Sequence, residues 1–148
     1  MVAHFFDDPH LRDELFSISR LHIVSGTDAE AFYLAGWSAS RLGWTATARN
    51  AFVDRNGSPV AFVHERAGGP RRIRSVALAT ATTTYRGERL ASDDLVVRVW
   101  AEGTYASEER LFALQMVDGA SLVERAILET AADEIFETAL RMVGTLLS

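Results

Sequence analysis

The 148-residue chain has no cysteine and no lysine. The first absence excludes disulfides, thiolate metal ligands and cysteine nucleophiles. The second excludes Schiff-base chemistry and a P-loop lysine. All 15 basic residues are therefore arginine; against 20 carboxylates they leave a net charge of −5. That acidic balance argues against a protein that holds nucleic acid by neutralising phosphates. No apolar run approaches the ~18 to 20 residues that span a bilayer. Asp7, Asp8 and His10 stand where a secretory leader would be basic and then oily, so no membrane contact and a cytoplasmic location are expected. With 48% of positions hydrophobic, and no repeat or low-complexity tract, residues 1–148 are expected to form a single domain.

Asp8-Pro9 opens a short helix through about Phe16, and Ser17 to Val24 alternates as a strand. Thr27 and Glu30 have capping-box spacing and open a helix over Ala29 to Trp44. That helix carries Phe32, Tyr33, Leu34, Trp37, Leu42 and Trp44 with small residues between them, and after Asp28 only Glu30 and Arg41 are charged. A helix apolar nearly all round is buried on most sides, so Tyr33 and Trp37 are expected inside, with sheet wrapped around them. Ala51 to Asp54 and Pro59 to His64 flank an Asn56-Gly57 turn, and Pro59 suggests a strand near an edge. Arg72 to Tyr85, Leu95 to Ala101, Arg110 to Val117 and Ser121 to Leu128 are further strands, the last two joined at Asp118-Gly119. Thr130 and Asp133 begin a final amphipathic helix with Ile135, Ala139, Met142, Val143 and Leu146 in one stripe. The expected fold class is α+β, with a curved, mostly antiparallel sheet around a central helix.

Tyr85-Arg86, a loop, and then Asp93-Asp94-Leu95-Val96-Val97-Arg98-Val99-Trp100 resemble the "YRxP … DxLxVxxxW" strands of hotdog-fold thioesterases of the 4-hydroxybenzoyl-CoA type. Phe112 through Asp118-Gly119 to Leu122-Val123-Glu124 is similar to that family's closing hairpin. Gly26 and Tyr33-Leu34 fall at the spacing of its helix opening, "DxxGHxNxxxYL". Where the opening has Asp, His and Asn, this chain has Ile23, Thr27 and Ala29. The resemblance implies a hotdog-like fold and an acyl-thioester hydrolase acting on acyl-CoA or acyl carrier protein. It also implies a homodimer or dimer of dimers whose sheet continues into a second copy.

Thioester hydrolysis needs a polarised carbonyl and an activated water, and free amides at a buried helix N-terminus suit the developing oxyanion. Gly26 and Thr27 are candidates for that role. Asp28 and Glu30 are candidate bases, His22 a second acid–base group, and Tyr33 and Trp37 pocket walls. Equally, first-turn carboxylates complement the helix dipole, and aromatics at helical spacing build cores. Arg71, Arg72 and Arg74 could clamp coenzyme A phosphates or simply solvate the Gly68-Gly69-Pro70 loop. No metal and no cofactor are expected, because His64-Glu65-Arg66 lacks partners at ligand spacing. Two other function classes remain open. One is a noncatalytic acyl- or polyketide-binding hotdog protein; the other is a helix-grip polyketide cyclase or lipid carrier.

Overall fold

The computed structural model describes residues 13–48, 50–69, 73–90, 93–113, 137, 141 and 143–145. A short 3-10 helix (Asp13–Ser17) leads into β1 (Arg20–Ser25) and α1 (Asp28–Leu42). Seven strands follow: β2 (Thr45–Ala48), β3 (Ala51–Val53), β4 (Pro59–Arg66), β5 (Ile73–Ala79), β6 (Thr83–Leu90), β7 (Asp93–Gly103) and β8 (Ser107–Ala113). They form one sheet in the order β2-β3-β4-β1-β5-β6-β7-β8. Among the described residues all pairings are antiparallel except that of β1 with β4, which sets Leu21 beside Phe62 and Ile23 beside His64. Parallel neighbours need a crossover, which α1 and the β2–β3 hairpin supply here.

The capping box forms as its spacing predicts: Thr27 Oγ1 accepts from the Glu30 amide at 3.4 Å and donates to the Glu30 carboxylate at 2.9 Å. The helix stops at Gly43, whose φ of 70° is the left-handed conformation that glycine adopts without strain. Ala31, Ala35 and Ala39, with Gly36 and Phe32, turn toward the sheet and are buried. Their small size lets α1 lie close on β1 and β4. Phe32 meets Phe62 edge-on at 5.5 Å, and Phe52 and Trp44 continue the aromatic row below the helix. Leu15 and Val143 pack against the same core.

This arrangement corrects the expected fold. The sheet is mixed, and α1 lies on one of its faces instead of running through its middle. Tyr33 is 40% and Trp37 41% exposed, whereas a helix wrapped by sheet would enclose both. The hotdog-like architecture is therefore absent. An apolar composition limits how much of a helix can face water, but it does not say from how many sides the sheet approaches.

Smaller differences have local causes. The segment read as one strand from Arg72 to Tyr85 breaks at residues 80–82, where Thr80 Oγ1 accepts from the amides of Thr82 and Thr83 and turns β5 into β6. Pro59 begins β4, which is third from the sheet edge, and its missing N–H is tolerated at a strand's first residue. The β3–β4 turn is organised by Asp54, which accepts from the amides of Asn56 and Ser58 at 2.8 Å. Of the expected first helix, only the 3-10 turn at Asp13–Ser17 is described. The Asp118-Gly119 hairpin, the strand at 121–128 and the start of the last helix lie outside the described residues; residues 137, 141 and 143–145 are helical. Among the described residues, no helix is long and apolar enough to cross a membrane.

The packing around β6 and β7 has two measurable consequences. Among the described residues, Tyr85 on β6 has the largest fully buried side chain. Burial, then the Glu14 carboxylate and Tyr105, push its phenol from 10.0 up to about 12, against a lowering hydrogen bond with Thr83. A phenol raised in the folded state contributes stability that is complete below pH 10 and is lost as pH climbs toward 12, on the order of 2–3 kcal/mol at most. Urea unfolding between those pH values should show this loss, and Tyr85→Phe should make it shallower. Gly103 has a φ of 112°, and a Cβ there would run into the Thr82 carbonyl. Gly103→Ala is expected to cost more than about 1 kcal/mol in the same measurement.

Candidate functional site

The chemically densest region among the described residues is the passage from β1 into α1. Ser25 ends β1 fully buried. Its hydroxyl donates to the Thr27 carbonyl at 2.6 Å, and its oxygen lies 3.0 Å from His64 Nε2. His64 Nδ1 stands 3.7 Å from the Asp28 carboxylate, with the imidazole about one-tenth exposed. Phe32 covers that ring edge-on at 6.2 Å. A serine, a histidine and an aspartate thus meet at the start of a helix.

Their polarity is wrong for nucleophilic catalysis. Ser25 has one proton, and the 2.6 Å contact with the Thr27 carbonyl takes it, which leaves the serine oxygen to accept from His64 when Nε2 carries the imidazole proton. A serine activated for attack must instead give its proton to the imidazole. The 3.7 Å separation on the other side exceeds a hydrogen bond. The cluster ties β4 to the β1–α1 turn, and burial keeps Ser25 from solvent.

The residues picked from sequence are dispersed. Glu30 is held by Thr27 in the capping box, and Asp28 stands more than half exposed beside His64. His22 is one residue out of phase with buried Leu21 and Ile23, so it points to the opposite sheet face and pairs with Glu65 at 3.6 Å. Gly26 and Thr27 form the turn itself. Tyr33 and Trp37 face solvent along α1. Arg74 is exposed, while Arg71 and Arg72 lie outside the described residues. Ser25 was missed, and His64 was weighed only as a metal ligand. Val60, Phe62 and His64 alternate toward α1, which marks His64 as inward-facing, but only the parallel register with Ile23 carries it to the helix start.

At the other end of α1, Phe16, Leu42, Trp44, Asp54, Arg55 and Asn56 line a cavity of about 280 Å³. Arg55 lies over the Phe16 ring at 5.6 Å, and the Asp54 carboxylate is engaged by its own turn.

On the sheet face away from α1, long side chains are tied into a mesh. Arg98 bonds Glu88 at 2.9 Å, reaches Glu109 at 3.5 Å and lies over Trp100 at 4.9 Å. Glu102 accepts from Trp100 Nε1 at 2.8 Å and from Arg86 at 3.2 Å. These two donors hold the Glu102 carboxyl below the usual range, and the Glu88 hydrogen bond, then Glu109, raises the Arg98 guanidinium. Beside this mesh, Ser75, Ala77 and Ala79 of β5 alternate onto the same face.

Comparison with known proteins overturns the thioesterase resemblance. No curated protein matches the chain. Among solved structures, it is similar to KijD10, a 3-ketoreductase from Actinomadura kijaniata in complex with TDP-benzene and NADP. That match has 12% identity and a TM-score of 0.54, and it covers 97% of this chain and 55% of that one. It is also similar to a putative NADPH-dependent oxidoreductase from Desulfitobacterium hafniense, at 13% identity and a TM-score of 0.51, covering 92% of this chain and 54% of that one. The chain thus spans about half the length of these proteins, and the likeness is one of fold. Tyr85 and Val96 to Trp100 do lie on paired strands, β6 and β7, but their alternation is common to any half-buried antiparallel pair and does not specify a hotdog. With that resemblance go acyl-CoA and acyl-carrier-protein substrates and the hydrolase reading.

NADP does not fit the start of α1. A pyrophosphate there needs free amides without competing negative charge; here Thr27 already caps the Glu30 amide, and Asp28 and Glu30 carry carboxylates. The family model for the C-terminal domain of a glucose-6-phosphate dehydrogenase subunit, OpcA, matches residues 1–140. The chain therefore belongs to this family of C-terminal domains from glucose-6-phosphate dehydrogenase subunits, and is an enzyme-related domain of that kind.

Proposed function

We propose that the chain is an accessory domain of a glucose-6-phosphate dehydrogenase assembly. It docks on the dehydrogenase polypeptide through the sheet face away from α1, and nucleotide binding and hydride transfer are carried elsewhere in the assembly. The observation that carries this reading is the pre-ordered mesh of Arg86, Glu88, Arg98, Trp100, Glu102 and Glu109 on that face. Long side chains normally lose rotamer freedom when a partner lands on them, at ~0.5–1.5 kcal/mol each. Here their mutual bonds have already restricted it. Tryptophan and arginine are also the residue types that most often dominate interface energies, and the small β5 side chains beside them admit a close approach.

Further support comes from the fold itself, which accounts for about half of two longer oxidoreductase chains. The carboxylates at α1 point the same way, since they turn a phosphate away from the helix end that would otherwise attract one.

Co-elution with a glucose-6-phosphate dehydrogenase, together with NADPH formation followed by absorbance, tests the proposal. The wild-type chain should co-elute, and Trp100→Asp and Arg86→Glu should each weaken association at least tenfold while the melting temperature shows the fold intact. Ser25→Ala, on the other side of the sheet, should lower stability by about 1–3 kcal/mol and leave association unchanged. A wild-type chain that does not associate, or face variants that bind as well as wild type, would sink the idea.

A further inference from the structure

The outward side of α1 plays no part in the docking just described. Ala31, Ala35 and Ala39 turn inward, so Glu30, Tyr33, Trp37 and Arg41 run along the opposite side at i, i+3, i+7 and i+11. Tyr33 and Trp37 are each about 40% exposed, Arg41 is exposed and Glu30 partly so. The helix dipole accounts for an acid at one end and a base at the other. It does not account for Trp37 left 41% exposed between them, on a helix that has already buried its small residues.

This line has a direction, and the direction makes it its own complement. Turned about a two-fold axis near Ala35, Glu30 comes opposite Arg41, and Tyr33 opposite Trp37, twice over. A parallel pairing would instead set like charges against each other. Among the described residues neither Glu30 nor Arg41 has an ion-pair partner, and Glu30 uses one carboxylate oxygen on Thr27. The Arg41 guanidinium is thus placed to meet a carboxylate on a second copy. Antiparallel helices also align their dipoles favourably.

We propose that α1 is a self-association surface, at which two copies of this chain pair their helices antiparallel. Each Trp37 lies against the other copy's Tyr33, and each Arg41 against the other copy's Glu30. The contact is isologous, as a two-fold dimer requires. One 15-residue helix from each copy is a small interface, so the dimer forms at micromolar concentration and not below. The inference does not rest on the dehydrogenase reading, because it needs only this chain.

Sedimentation velocity of the isolated chain from about 1 to about 200 µM tests it. The wild-type chain should pass from monomer to dimer across that range. Arg41→Glu sets carboxylates against each other at both ends and should raise the dissociation constant at least tenfold. The double variant Glu30→Arg/Arg41→Glu restores opposite charges and should return the constant to within about threefold of wild type. Trp37→Ser removes the central contact without disturbing charge or cap, and should weaken pairing at least tenfold; it decides the matter if the double variant does not fold. A wild-type chain monomeric throughout, or Arg41→Glu and Trp37→Ser variants that dimerise like wild type, would overturn the proposal. So would a dimer broken by Trp100→Asp but not by these changes, since it would form through the sheet instead.

Discussion

The structure depends on one close contact: the small-residue stripe of α1 seated on the parallel pair β1 and β4. Ala31, Ala35 and Ala39 bring the helix backbone near the sheet, and Leu21, Ile23 and Phe62 fill the space from below. The parallel pairing exists because the chain leaves β1, forms α1 and the β2–β3 hairpin, and returns beside β1 as β4. Remove the stripe and nothing would hold that return in register. The buried contact between Ser25 and His64 fastens the same junction at its open end, beneath the Phe32 ring.

From this seating the two outer surfaces of the domain take their character. Side chains alternate along strands, so burying Leu21, Ile23, Val60 and Phe62 under α1 turns His22, Val63 and their neighbours to the far face, where Arg98 and Glu102 organise the mesh. Burying the alanines of α1 likewise turns Tyr33 and Trp37 outward. Each exposed group is the geometric counterpart of a buried one. The reading of the domain as a surface for other proteins thus rests on what its core requires.

The Ser25–His64–Asp28 cluster shows how far residue identity is from function. Its members are those of a hydrolase triad, yet the serine hydroxyl donates to a backbone carbonyl and the aspartate stands beyond hydrogen-bond distance of the imidazole. Hydrogen-bond direction, which no residue list contains, separates a fastening from a catalyst.

Much of the local structure was legible in the residues. Thr27 and Glu30 marked the start of α1, because capping is a matter of neighbouring side chains, whereas the end expected at Trp44 overran the left-handed stop at Gly43. Alternation marked β1, β4 and β7, and the missing cysteine and lysine excluded whole chemistries. Only the tertiary structure decided that α1 lies on one sheet face, that β1 runs parallel to β4, and that His64 instead of His22 reaches the helix start. The reason is physical: caps and periodicity arise from interactions within a few residues, whereas strand order and the side from which a sheet meets a helix depend on contacts among Leu21, Phe62 and Leu78, far apart along the chain. An apolar helix and alternating strands satisfy a wrapped and a one-sided arrangement equally well, and the packing of distant segments chose between them.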